Sequence, residues 1–215
     1  MTCYVLLPSP FLGPAAWEPV AALLGPDVVV PTVRGDTPEE IAGALERQVP
    51  YRADLVLVPH SNAGLYVPAL AVSRDARRLV FADAVLPPPR GRTPVAPEGF
   101  RATLRDLTGE DGRLPPWTAW WPPDAVEPLF PDAATRATVE REQPRMPFAY
   151  LTGSVDAPAG WDDRPTMYLA FGDAYADERA DAARRGWPTR TLAGHHLHML
   201  IDPAAVAAAI AESSG

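Results

Sequence analysis

Six short β-type runs punctuate the chain: "CYVLL" (3–7), "DVVV" (27–30), "LVLV" (55–58), "RLVFA" (78–82), "TMYLAF" (166–171) and "TRTLA" (189–193). Most are continuously apolar rather than alternating, which is the pattern of strands covered on both faces. Helix-like segments separate them, and strands alternating with helices build a parallel sheet. The helical segments carry start signals. "DTPEEIAGALERQ" places Asp36 and Thr37 ahead of Pro38 and two glutamates in the first turn, and "DPAAVAAAI" (202–210) repeats the device near the end. The expected architecture is therefore α/β, a parallel sheet of about six strands flanked by helices. At 215 residues the chain suits one domain that buries roughly 70% of its unfolded surface.

One stretch interrupts the alternation. From about Pro87 to Pro165 the chain is rich in Pro, Trp and Arg, as in "PPPRGRTPVAPEGF" and "LPPWTAWWPPDAVEPLF". An unstructured loop of that length is improbable in a compact domain. The segment 88–165 is read as a helical lid inserted into a core made of 1–87 and 166–215. No internal repeat is found.

Composition removes several function classes. All 19 basic residues are arginine, so Schiff-base chemistry on a lysine is excluded. A net charge of −8 disfavours a nucleic-acid partner, which needs clustered cations. Cys3 is the only cysteine, so no internal disulfide can form and a reducing compartment is expected. "MTCYVLLPSP" lacks the basic leader and apolar length of a signal peptide, and no run approaches the ~20 apolar residues of a membrane span. The expectation is a cytoplasmic protein with no membrane partner and a small-molecule substrate. Nothing in the sequence sets an oligomeric state.

The candidate chemistry begins at "LVLVPHSNAGLYVPALAV", where a strand ends on Ser61 and turns at once into a helix. That puts a hydroxyl at the C-terminal edge of the sheet, where ligands of open α/β sheets bind. A strained turn needs small neighbours, which Ala63 and Gly64 supply, and the amide of Asn62 falls at a helix start, where an N–H can stabilise an oxyanion. An N-cap serine is the ordinary alternative. The arrangement resembles the nucleophile elbow of the α/β-hydrolase superfamily, with Pro59 where the usual G-x-S-x-G carries its first glycine. Two further segments extend the resemblance over nearly the whole chain outside 88–165. "VLLPSPFLGPAAWEPVAALL" is similar to the strand, oxyanion loop and helix of that family, and "LAGHHLHMLIDPAAVAAAI" to its last loop, where a His follows the final strand.

The resemblance implies Ser61 as nucleophile and the Phe11 and Asn62 amides as oxyanion donors. Matching "GHHLHML" to the form seen in polyketide-type thioesterases implies His196 as base, with His195 as the other candidate. His60 is set outside the triad as a packing or orienting residue. The acid is Asp83, at the end of the fourth strand ahead of a Pro run as in those thioesterases, or Asp173 or Asp177 after the next strand, the commoner place in the superfamily. All keep the chain order Ser, acid, His. Ser61 and His196 should approach hydrogen-bond reach, with a looser contact allowed in an unliganded form and the acid on the other ring nitrogen. Three His within four residues also raise zinc, but no Cys or HExxH-like partner accompanies them, so no metal and no cofactor is expected.

Trp117, Trp120 and Trp121 suggest an aromatic-lined substrate pocket, although their i, i+3, i+4 spacing equally suits packing of the inserted segment. The implied function is a serine hydrolase acting on an ester or thioester of a small apolar or aromatic compound. Fold does not determine reaction class. A lyase or cyclase using the same His as general base, and a non-catalytic ligand-binding relative, stay open.

Overall fold

The computed structural model describes residues 2–213. Its main sheet uses six strands: β1 (Cys3–Leu7), β2 (Val28–Val29), β3 (Leu55–Ser61), β4 (Arg78–Ala84), β7 (Thr166–Ala170) and β8 (Thr189–Thr191). β5 (Gly91–Pro94) and β6 (Ser154–Ala157) form a separate antiparallel ribbon. The sheet order is β2-β1-β3-β4-β7-β8 and every pairing in it is parallel. All residues of β1, β3 and β7 are buried, as the continuous apolar runs require of strands covered on both faces. The partly exposed β2 and β8 lie at the two edges.

The helices are α1 (Glu18–Leu24), α2 (Pro38–Gln48), α3 (Val67–Ser73), α4 (Glu98–Arg105), α5 (Pro123–Val126), α6 (Ala133–Glu142), α7 (Phe148–Leu151), α8 (Ala176–Arg184), α9 (His198–Ile201) and α10 (Pro203–Glu212). The start signals act as their chemistry predicts. Thr37 Oγ1 accepts from the Glu40 N–H at 3.2 Å, and the Glu40 carboxylate accepts from the Asp36 N–H at 2.7 Å, one residue before the cap, so the two contacts together close the head of α2. Asp202 Oδ1 accepts from the Ala205 N–H at 2.9 Å at the head of α10. α1 packs against α10, while α2 and α3 both contact β6.

The strand order locates the site. From β1 the chain moves outward to the edge strand β2, then returns across β1 to lay down β3 on its other side. The connections leaving β1 and β3 therefore diverge, and the crevice outside their C-terminal ends is the topological switch point where α/β sheets bind ligands. Phe11 lies just beyond β1 and Ser61 ends β3, so these two residues flank that crevice.

Between β4 and β7 the chain is helical only in part. It carries α4 to α7, the β5–β6 ribbon, and a 3-10 turn over Trp117–Trp120. Glu142 of α6 ties this segment to the loop after β1: its Oε2 accepts the Ala15 N–H at 2.8 Å and its carbonyl accepts from Arg34 at 2.9 Å. No helix among the described residues is long and apolar enough to cross a membrane.

Candidate active site

Ser61 ends β3 at φ 56°, ψ −131°, a region that side-chain-bearing residues rarely occupy and that costs about 1–3 kcal/mol. A 3-10 turn over Asn62–Tyr66 follows at once and leads into α3. The serine makes no side-chain cap bond to that turn, so it is not an ordinary N-cap. Gly64 permits the geometry: a Cβ there would lie 2.0 Å from the Val85 carbonyl oxygen. The Val85 N–H in turn donates to the Ser61 carbonyl at 3.0 Å, joining the turn to the end of β4. Pro59 stands opposite Leu7, the last residue of β1, so the ladder it shortens is ending there.

The neighbouring strand carries a matching irregularity. His60 pairs with Ala82 but Ser61 pairs with Ala84, leaving Asp83 as the extra residue of a bulge, at φ 44°. Tyr168 of β7 pins this bulge: its hydroxyl donates to the Ala84 carbonyl at 2.8 Å and accepts the Ala84 N–H at 3.1 Å. The displaced Asp83 side chain is fully buried. Its Oδ1 accepts the Phe171 N–H at 3.0 Å, and its Oδ2 lies 2.6 Å from Nδ1 of His196.

Of the three candidate acids, Asp83 is the one that meets His196. Asp173 points to solvent and pairs with Arg179 at 3.1 Å, and Asp177 is exposed in the first turn of α8. His195 is exposed as well, and His198 packs on Phe171 with ring centroids 5.8 Å apart. The three clustered histidines thus diverge. Among the described residues no group of three His, Cys, Asp or Glu side chains could hold a metal ion.

Ser61 and His196 converge on one site without touching. Both residues line one cavity, yet no hydrogen bond joins them; the Ser61 hydroxyl instead lies 3.2 Å from the hydroxyl of Tyr175. Tyr175 reaches that position from the loop between β7 and α8, its ring 5.4 Å from the His196 imidazole. The loop is held there by contact with the His196 loop, since a Cβ on Gly172, at φ 96°, would stand 2.6 Å from the Gly194 carbonyl oxygen. Burial raises the Tyr175 phenol above its ordinary range, so it stands as a neutral hydroxyl.

His60 lies directly beneath. It is completely buried, its ring is 4.4 Å from that of His196, and its Nε2–H donates to the His196 carbonyl at 2.9 Å. Burial, reinforced by His196, pushes its pKa well below the usual histidine value and keeps it neutral. Its Nδ1 has no partner, so its contacts are those of a residue that positions the neighbouring imidazole.

Above these groups lies a cavity of about 720 Å³. Phe11, Trp117 and Trp120 form part of its wall, and Trp121, still 38% exposed, stacks on Phe100 with centroids 5.9 Å apart. Phe11 contacts Trp120 edge-on at 4.9 Å. The Phe11 N–H makes only a long 3.4 Å contact to Ser9 Oγ, and the Asn62 N–H, first in its turn, has no acceptor within that turn. The Asn62 side chain has a role the sequence did not suggest. Its Nδ2 donates to the Val95 carbonyl at 2.9 Å, and its Oδ1 accepts from the Tyr150 hydroxyl at 2.7 Å, which itself meets Tyr66 at 2.8 Å. This buried chain fastens the inserted segment to the turn beside Ser61. Glu178, also on the cavity wall, has its pKa raised by burial.

The sheet order, the strained strand-to-helix serine and the histidine after the last strand together define the α/β-hydrolase fold. Solved structures agree over almost the full chain. An extracellular α/β-hydrolase from a Paenibacillus species, described as sharing structural and functional homology with tobacco salicylic acid binding protein 2, superposes with a TM-score of 0.77 at 17% identity, covering 99% of each chain. A pyrethroid hydrolase from Sphingobium faniae JZ-2 gives 0.68 at 19%, covering 99% of this chain and 97% of the other. The thioesterase domain from the curacin biosynthetic pathway gives 0.61 at 16%, covering 98% and 91%. No protein-family model and no curated protein sequence matches the chain.

Proposed function

We propose that this protein is a serine hydrolase that cleaves an ester or thioester of a small apolar or aromatic compound through an acyl-enzyme on Ser61. The observation that carries this reading is a strained Ser61 sharing one cavity with His196, whose Nδ1 is engaged by the buried carboxylate of Asp83. With its proton on Nδ1 facing Asp83, the imidazole presents Nε2 as a base. Ser61 would turn from Tyr175 to His196 as substrate enters, since catalytic contacts often tighten only in the substrate complex. His196 would take the serine proton and return it to the leaving group, while the Phe11 and Asn62 amides receive the oxyanion. The inserted segment 88–165 would act as the lid that supplies the aromatic wall. That wall carries no arginine, which suits a neutral acyl compound. Solved relatives of the same fold include esterases, pyrethroid hydrolases and a thioesterase domain, which supports the reaction class.

A second reading follows from the Ser61–Tyr175 hydrogen bond: the two hydroxyls could hold a substrate on which His196 acts as base, in a lyase or cyclase reaction without an acyl-enzyme. A fluorophosphonate probe and three variants separate the two. For the hydrolase, the probe labels Ser61. Ser61→Ala and His196→Ala each lose about 10⁴- to 10⁶-fold in kcat, and the double variant is hardly worse than either single one. A His196→Ala variant that is severely impaired beside a Ser61→Ala variant that keeps substantial turnover would establish the second reading instead. Neither labelling nor turnover would leave a non-catalytic binding protein.

A further inference from the structure

The Tyr175 hydroxyl is the sole hydrogen-bond partner of Ser61 Oγ among the described residues, and its ring lies against His196. This inference rests on the hydrolase reading above. In a tetrahedral adduct the reacting carbon is bonded to Ser61 Oγ, its oxyanion faces the Phe11 and Asn62 amides, and its leaving oxygen faces Nε2 of His196, which must protonate it. Leaving oxygen and Oγ then share one carbon and are separated by a single bond angle. Ser61 turns toward His196 to form that adduct, and the Tyr175 ring lies 5.4 Å from the His196 imidazole, so its hydroxyl faces the leaving oxygen that Nε2 protonates.

We propose that Tyr175 is a catalytic hydrogen-bond donor to the leaving-group oxygen, making the enzyme selective for oxygen esters of weakly acidic alcohols. When the adduct collapses, the bond from carbon to the leaving oxygen breaks and its electron pair goes to that oxygen. The oxygen takes the proton from His196 Nε2 and accepts a hydrogen bond from the Tyr175 O–H, which keeps its own proton. The raised phenol pKa is consistent with a donor that does not ionise during the cycle. The benefit depends on how much negative charge the leaving atom bears. It is large for an alkoxide, small for a nitrophenolate whose charge is delocalised, and small for a thiolate, because sulfur accepts hydrogen bonds weakly. Tyr175 thus favours alkyl esters over thioesters at this site.

The test measures kcat/KM for phenylacetate esters of 4-nitrophenol, phenol, trifluoroethanol and ethanol, and for the ethyl thioester, with wild type and Tyr175→Phe. The variant should lose about 10- to 100-fold on the ethyl ester, the worth of one charge-assisted hydrogen bond, and less than about 3-fold on the 4-nitrophenyl ester and the thioester. Wild type alone provides an independent reading, in which kcat/KM should depend only shallowly on the pKa of the leaving alcohol. Uniform loss across the series, no loss on the ethyl ester, or a steep wild-type dependence overturns the proposal. If the fluorophosphonate labels Ser61 and the series is uniform, only the Tyr175 role falls. Absence of both labelling and ester turnover removes the hydrolase reading and this inference with it.

Discussion

Asp83→Asn tests the site at its most constrained atom. The carboxylate is fully buried and its two oxygens have two distinct partners, the Phe171 N–H at 3.0 Å and His196 Nδ1 at 2.6 Å. Asparagine fits the same volume but has only one acceptor oxygen. If that oxygen stays with Phe171, the amide NH₂ faces Nδ1, which must become an acceptor; the ring proton then moves to Nε2 and the proposed base is lost. If the amide flips, the imidazole keeps its tautomer, but the NH₂ faces the Phe171 N–H, a buried donor against a donor that costs about 1–3 kcal/mol. The negative charge that steadies an imidazolium is missing either way. The expected loss in kcat/KM is on the order of 10³- to 10⁴-fold, or about 4–5.5 kcal/mol of transition-state stabilisation. The assay is hydrolysis of a neutral 4-nitrophenyl ester, with the variant's fold checked by circular dichroism. Asp173→Asn serves as control. Its carboxylate is exposed and pairs only with Arg179, so activity should stay within about 2-fold, since exposed ion pairs contribute little. An Asp83→Asn enzyme within 10-fold of wild type, or an Asp173→Asn enzyme impaired 100-fold, would refute this reasoning.

Two further outcomes follow from the packing around the serine. Gly64→Ala would place its Cβ against the Val85 carbonyl, backbone that cannot retreat without releasing the Val85-to-Ser61 hydrogen bond; we expect about 1–3 kcal/mol of destabilisation in urea unfolding, and a change below 1 kcal/mol would contradict the tight turn. His60 has a folded-state pKa below its unfolded value, so as pH falls through about 6.5 the unfolded chain gains a proton that the folded chain resists, and stability present above that pH is lost on acidification. The groups facing it are the His196 ring and carbonyl and the Trp17 ring. His60→Asn should flatten the decline in stability between pH 7 and 5 seen by thermal unfolding at each pH, and an unchanged slope would assign the acid sensitivity elsewhere.

Much of this protein is local and therefore legible in its sequence. The β-type runs mark all six strands of the main sheet, and the interior runs are largely apolar because strands there are covered on both faces. Thr37 and Asp202 mark two helix starts because capping is satisfied within a few residues of chain. Ser61 stands out because a strand-to-helix turn needs small neighbours at once. What the sequence left open is what depends on distant segments meeting. It offered three carboxylates and two histidines, and the choice among them rests on the bulge that ejects Asp83 from its ladder and on the Tyr168 hydroxyl that pins it. Neither is encoded beside Asp83. In the loop 171–178 the sequence points to the acids Asp173 and Asp177, yet Tyr175 is the residue that reaches Ser61, across 114 positions of chain. The same holds for Asn62: the sequence points to its backbone amide, while its side chain joins Tyr150 and Val95 in the inserted segment. Periodicity and capping act through neighbours along the chain, whereas these contacts are decided by where the sheet order brings separate loop ends together at a single edge.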